Sequence, residues 1–161
     1  MQTLFHVTDM KVLSKIIKSN KLKAGAFGGV SFTENSKLFG NTFEHGNDFG
    51  HKTVRFVIDG DKLSNDYELQ PWQDGVGHRF EIEEEWRVQG TDIQDLKKYT
   101  IRIEILNRRA HDNDDLYWVK KDVGINWDPR RRTKLAVSRV KKIIELGDEN
   151  GFDVTVVDKP I

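Results

Sequence analysis

Two stretches alternate side-chain character at period two: Thr53–Asp59 (TVRFVID) and Thr100–Leu106 (TIRIEIL). Successive strand residues point to opposite faces, so such alternation predicts a sheet rather than a helical bundle. Shorter extended pieces are predicted at Thr3–Val7, Val30–Thr33, Tyr67–Trp72, Phe80–Val88 and Val154–Val157. Small helices interrupt them. Thr8 and Asp9 suit a cap, Val12, Leu13, Ile16 and Ile17 recur at helical spacing, and Asn20 stops that helix. Lys21–Gly29 is a turn-rich link, and Glu34–His51 reads as a short helix followed by a loop. Single helical turns are predicted at Asp61–Leu63 and Asp92–Lys98, and an amphipathic helix at Lys134–Leu146 with Gly147 and Gly151 marking its exit. Gln73–His78 reads as a loop and Asn107–Asp128 as polar and irregular. The order shows no regular βαβ alternation. The expectation is a single α+β domain over 1–161 with a mixed or antiparallel sheet and short helices.

Composition narrows the function classes. The 161 residues hold no cysteine, which removes disulfides, thiolate zinc sites and a cysteine nucleophile. The five histidines (6, 45, 51, 78, 111) never fall at a metal-ligand spacing, so no metal is expected. MQTLFHVTD lacks a signal-peptide core, and no run approaches the ~18 apolar residues of a membrane span, so a cytoplasmic protein without a membrane partner is expected. Lys+Arg and Asp+Glu are 26 each, which gives no bulk support for a general nucleic-acid binder. The charge is uneven, however. Lys120–Lys142 holds nine Lys/Arg against two Asp, whereas Glu81–Asp95 is mostly acidic.

Several residues carry candidate chemistry. His6 ends a strand before a helix cap; it is either a partly buried histidine satisfied by a backbone bond or a polar group facing a ligand. Glu81, Glu83 and Glu85 share one face if their segment is a strand. That row is either a solvated edge or a carboxylate set near positive charge, such as an oxocarbenium ion developing at a ribose. Ser31 and Thr33 alternate on VSFT, as ordinary strand polarity or as hydroxyls orienting a ligand. Arg130, Arg131, Arg132 and Lys134 belong to the basic segment, either a solvated helix face or a contact surface for phosphate or an acidic protein. The glycines of GAFGG match neither glycine-rich phosphate fingerprint.

The order of these pieces resembles the ADP-ribosyltransferase fold. LFHVTDMKVLSKIIKSNKL gives strand, aromatic-His, Thr and helix; VSFT follows, and about fifty residues later comes EEEWRV. The chain is similar to small bacterial and phage members with a first-strand histidine, including the DNA-modifying DarT toxins over the opening segment. The basic helix and GFDVTVVD resemble the closing elements of small phage-type relatives. The resemblance implies a split sheet and transfer of ADP-ribose from NAD to a macromolecular acceptor, protein or nucleic acid, with nicotinamide released. His6, with Thr8 beside it, would hold the nicotinamide or its ribose, and Ser31 and Thr33 would support the site. Glu85 would stabilise the oxocarbenium-like state, with Glu83 in the earlier place of a Glu-x-Glu pair, and Phe39 and Phe43 would pack on the nicotinamide ring. His6 stands where the arginine–serine–glutamate subclass has Arg, and no tyrosine follows the second strand as in the histidine–tyrosine–glutamate subclass. The acceptor therefore does not carry over. Water as acceptor would make the chain an NAD glycohydrolase. The alternative from another class is a non-catalytic binding or inhibitor module that holds a protein or nucleic acid through residues 120–142.

Overall fold

The computed structural model describes residues 2–26, 28–36, 54–72, 85–106 and 129–157, with side chains of the last segment described from Ser138 onward. The strands are β1 (Thr3–Thr8), β2 (Gly29–Thr33), β3 (Val54–Asp59), β4 (Leu69–Pro71), β5 (Glu85–Gln89), β6 (Thr100–Leu106) and β7 (Val154–Val157). The helices are α1 (Met10–Ser19), α2 (Gly60–Asp66) and α3 (Pro129–Glu149), with a 3₁₀ turn at Leu96–Lys98. The strands form one seven-stranded sheet in the order β4-β5-β2-β1-β3-β6-β7. Every pairing is antiparallel except β6 with β7, so the chain is an α+β protein with a mixed sheet.

Register assigns each side chain to a face. Leu4, His6 and Thr8 lie opposite Ile58, Phe56 and Val54, and Phe56 and Val54 lie opposite Ile103 and Ile105. On the other side of β1, Val30 and Phe32 pair with Val88 and Trp86. Every second residue of each strand turns to this core face, and on β3 the residues between them, Arg55 and Val57, are buried as well. Met10, Leu13 and Ile17 of α1 and Ile143 of α3 join the same buried cluster, so these helices cover the core face. α1 packs against α3, and α3 against β7. The opposite face, here the far face, carries Phe5, Val7, Arg55, Val57 and Glu104, and across the junction Ser31, Thr33, Glu85 and Arg87.

The junction of β1 with β2 is the thin part of the sheet. One Cα pair, Phe5 with Thr33, joins them, whereas β1 and β3 share six. A second tie braces the β2–β5 half from its end. Leu22 and Ile93 exchange both backbone hydrogen bonds (3.1 and 2.8 Å), and Ala24 N–H donates to Asp92 Oδ1 at 2.7 Å. Asn20 adopts the left-handed conformation (φ 52°) that closes α1, and its Oδ1 accepts from Lys97 N–H at 2.8 Å. The link into β2 is thus sewn to the exit of β5.

Some boundaries differ from the sequence expectation. Asp9 takes the N-cap position of α1 without a capping side-chain bond; its carboxylate lies 3.5 Å from Lys11 Nζ instead. β5 is described from Glu85, and Glu81 and Glu83 lie outside the described residues. The single turn expected at Asp61–Leu63 is a seven-residue helix capped by Asp59, whose side chain accepts from Lys62 N–H. The helix expected to leave at Gly147 continues to Glu149 and closes near Gly151 (φ 77°). Gly147 is instead a point of close approach: a Cβ there would stand 2.3 Å from Val154 Cγ2. An alanine gains about 1 kcal/mol of helix propensity, but overpacking costs about 1–3 kcal/mol. Gly147→Ala is therefore expected to lower the urea midpoint, whereas a raised midpoint would show that β7 yields freely.

Candidate functional site

The far face of β2 and β5 gathers polar groups for a local reason. Val30, Phe32, Trp86 and Val88 turn to the core, so the residues between them must turn away. Thr33 then sits opposite Glu85, and Ser31 opposite Arg87, in adjacent rows. Arg87 Nη2 donates to Glu85 Oε1 at 2.8 Å. The guanidinium lies 3.6 Å from the ring centroid of Trp72, and Trp72 N–H donates to the Glu85 carbonyl at 2.9 Å. Gly29 makes room for the arginine: a Cβ there would fall 2.8 Å from Arg87 Cδ and 2.7 Å from the Val88 carbonyl oxygen. Arg87 is 7% exposed, yet its Nε and Nη1 have no hydrogen-bond partner among the described residues. A buried donor left unpaired costs roughly 1–3 kcal/mol, so this side chain is held in place despite its own donors.

His6 and Thr8 are on the core face, so register separates them from Ser31, Thr33 and Glu85. The His6 ring lies between Phe32 (5.9 Å) and Phe56 (6.3 Å). Its Nδ1 is 2.9 Å from the Ser31 carbonyl oxygen. A carbonyl only accepts, so Nδ1 carries the proton, and Nε2 is the acceptor in the neutral ring. His6 is thus a partly buried histidine with a backbone bond, and that bond crosses the thin junction. Thr8 is buried. Thr33 is also buried, and its Oγ1 accepts from Asn35 N–H at 3.0 Å, turning the chain out of β2.

A second polar unit on the far face was missed at the sequence level. Arg55 and Glu104 are directly opposed and are 2% and 1% exposed. Arg55 Nε donates to Glu104 Oε2 at 2.6 Å, Nη2 pairs with the same oxygen at 2.6 Å, and Nη1 donates to the Ser36 carbonyl. Arg102 Nε donates to Glu104 Oε1 at 2.8 Å, and Phe5 lies under the Arg55 guanidinium at 4.6 Å. The signal was present in TVRFVID and TIRIEIL, where Arg and Glu interrupt strands otherwise suited to burial. In the sequence Trp72 closes the extended piece Tyr67–Trp72 and Arg87 stands within EEEWRV; neither spacing nor composition points to their contact. Elsewhere, hydrogen bonds from Lys98 and Tyr99 hold Asp66 below the usual carboxylate range. Burial, then Asp66, pushes the Tyr99 hydroxyl up. This cluster ties the end of α2 to the 3₁₀ turn.

Glu83, Phe39 and Phe43 lie outside the described residues. Arg130, Arg131, Arg132 and Lys134 fall in the first turns of α3, and their side chains also lie outside them; Lys141 and Lys142 further along are exposed. Among the described residues no three His, Asp or Glu side chains gather as a metal site, and no helix is long and apolar enough to cross a membrane. Neither a protein-family model nor a curated protein matches this chain.

The buried Arg55–Glu104 pair is a structural support that loses heavily if one partner is neutralised. Glu104→Gln is expected to cost about 3–5 kcal/mol by leaving Arg55 uncompensated. Asp59→Asn, at a 3.9 Å pair whose lysine is exposed, removes an ion pair worth about 0–1 kcal/mol but keeps the helix cap, because the asparagine Oδ1 still accepts from Lys62 N–H. Chemical denaturation of both variants checks the ranking, and equal losses would contradict it.

Proposed function

We propose that this chain transfers ADP-ribose from NAD to a macromolecular acceptor, releasing nicotinamide, and that the far face of β2 and β5 is where it does so. The observation that carries the reading is the opposition of Thr33 and Glu85, with Glu85 fixed at one oxygen by Arg87, beside the thin junction of the sheet. The ordered resemblance of HVTD, VSFT and EEEWRV to ADP-ribosyltransferases supports it.

The chemistry follows from charge. As the bond from ribose C1′ to the nicotinamide nitrogen breaks, its electron pair leaves with nicotinamide, and the pyridinium charge is discharged. Positive charge then appears on the ribose as an oxocarbenium ion. A carboxylate fixed beforehand stabilises charge that exists only in the transition state, and so lowers the barrier rather than merely tightening binding. In this reading Glu85 is that carboxylate. The acceptor attacks C1′ and gives up its proton, completing the transfer. Ser31 and Thr33 line the same face. His6 acts from the core face through the Ser31 carbonyl, holding β2 against β1, a supporting role in place of direct contact with nicotinamide. Thr8 is buried on the core face opposite Val54 of β3, away from the proposed ligand face. Phe39 and Phe43 retain their proposed contact with the nicotinamide ring, and Glu83 its place before Glu85.

The test is nicotinamide release from NAD by the purified chain, with and without cell lysate as a source of acceptor. Release is expected, and Glu85→Gln is expected to reduce it at least about a hundredfold while binding of NAD persists. Incorporation of labelled ADP-ribose into lysate would identify the acceptor class. No release and no NAD binding, with lysate present, would overturn the reading.

A further inference from the structure

Among the described residues two arginines, Arg55 and Arg87, are buried on the far face, and they are used differently. Arg55 engages all three guanidinium nitrogens, two on Glu104 and one on the Ser36 carbonyl, as a side chain serving stability does. Arg87 engages one, and that one on Glu85, while Nε and Nη1 stay buried and unpartnered. Three separate features hold it there. Trp72 stacks beneath the guanidinium, the missing side chain of Gly29 leaves space for its stem, and Trp72 N–H grips the Glu85 carbonyl. Such a set fixes the pair as a unit without satisfying the arginine.

We propose that Arg87 is a positioning residue for Glu85: it fixes Oε1 and leaves Oε2 to face the ligand. This inference rests on the transferase reading and adds to it a residue that acts through Glu85 rather than on the substrate. No other charged side chain among the described residues is opposed to Glu85: Thr33 faces it from β2, and Ser31 and Gln70 flank Arg87 from β2 and β4. Arg87 therefore sets the orientation of this carboxylate. A lysine would restore the charge but not the planar, stacked geometry.

The experiment compares the wild-type chain with Arg87→Met, which keeps the stem, and Arg87→Lys. Nicotinamide release is measured across NAD concentrations, and NAD binding is followed without turnover. Arg87→Met is expected to lower kcat about a hundredfold with little change in KM and with NAD binding kept. Arg87→Lys is expected to recover only part of kcat. An Arg87→Met chain with wild-type kcat, or with a raised KM and unchanged kcat, would overturn the inference while the transferase reading stands. If the wild-type chain releases no nicotinamide, that reading fails instead, and so does the positioning role built on it.

Discussion

One imidazole–carbonyl hydrogen bond bears on everything the far face can do. β4, β5 and β2 form one half of the sheet and β1, β3, β6 and β7 the other, and Phe5↔Thr33 is the Cα pair that joins them. Where a full ladder would have paired the Ser31 carbonyl with a backbone N–H, the His6 ring supplies the donor. A strand junction made with a side chain is less rigid than one made with successive backbone bonds, because it depends on one rotamer and one tautomer. The stacked surroundings of Phe32 and Phe56 restrict that rotamer. The tie between the Asn20–Ala24 link and the Asp92–Lys97 segment keeps the outer half from swinging away at its other end.

Charge on the far face divides along the same line. In the inner half, Arg55, Glu104 and Arg102 form a network whose buried donors are all engaged, and the cost of desolvating them is offset by several short bonds. In the outer half, Arg87 and Glu85 form a smaller unit with spare capacity: two donors on the arginine and one carboxylate oxygen. Saturated polar networks fix a fold, whereas unsaturated ones are found where chemistry is done. The contrast between these arginines, each on the second strand from the junction, is the physical ground on which the proposed site is assigned to the outer half of the sheet.

Much of the fold was legible because the strands keep their period. TVRFVID and TIRIEIL pair in the register their apolar rows require, and Val12, Leu13, Ile16 and Ile17 mark the helix that covers them. The helix end at Asn20 was legible from its type, since asparagine tolerates the left-handed conformation. Less was legible at Gly147, where Val154 presses on the helix from a strand that follows it; tertiary contact, not local propensity, sets the glycine there. For the candidate site, the residue types were readable but the face was not. His6 and Ser31 each stand on a short strand, and only the pairing of β1 with β2 reveals that their side chains point to opposite faces while ring and carbonyl meet. The partnership of Arg87 with Trp72 joins residues fifteen apart in sequence across the β4–β5 pairing, which no period records.

NAD is proposed to meet the far face beside the junction, and an NMR titration of the chain with NAD tests this most directly. Amide and side-chain shifts at Ser31, Thr33, Glu85 and Arg87, together with the Trp72 indole, are predicted to move with one saturating curve, while Arg102 and Glu104 stay still. Saturable shifts confined to the exposed lysines of α3, or none at all up to millimolar NAD, would contradict it.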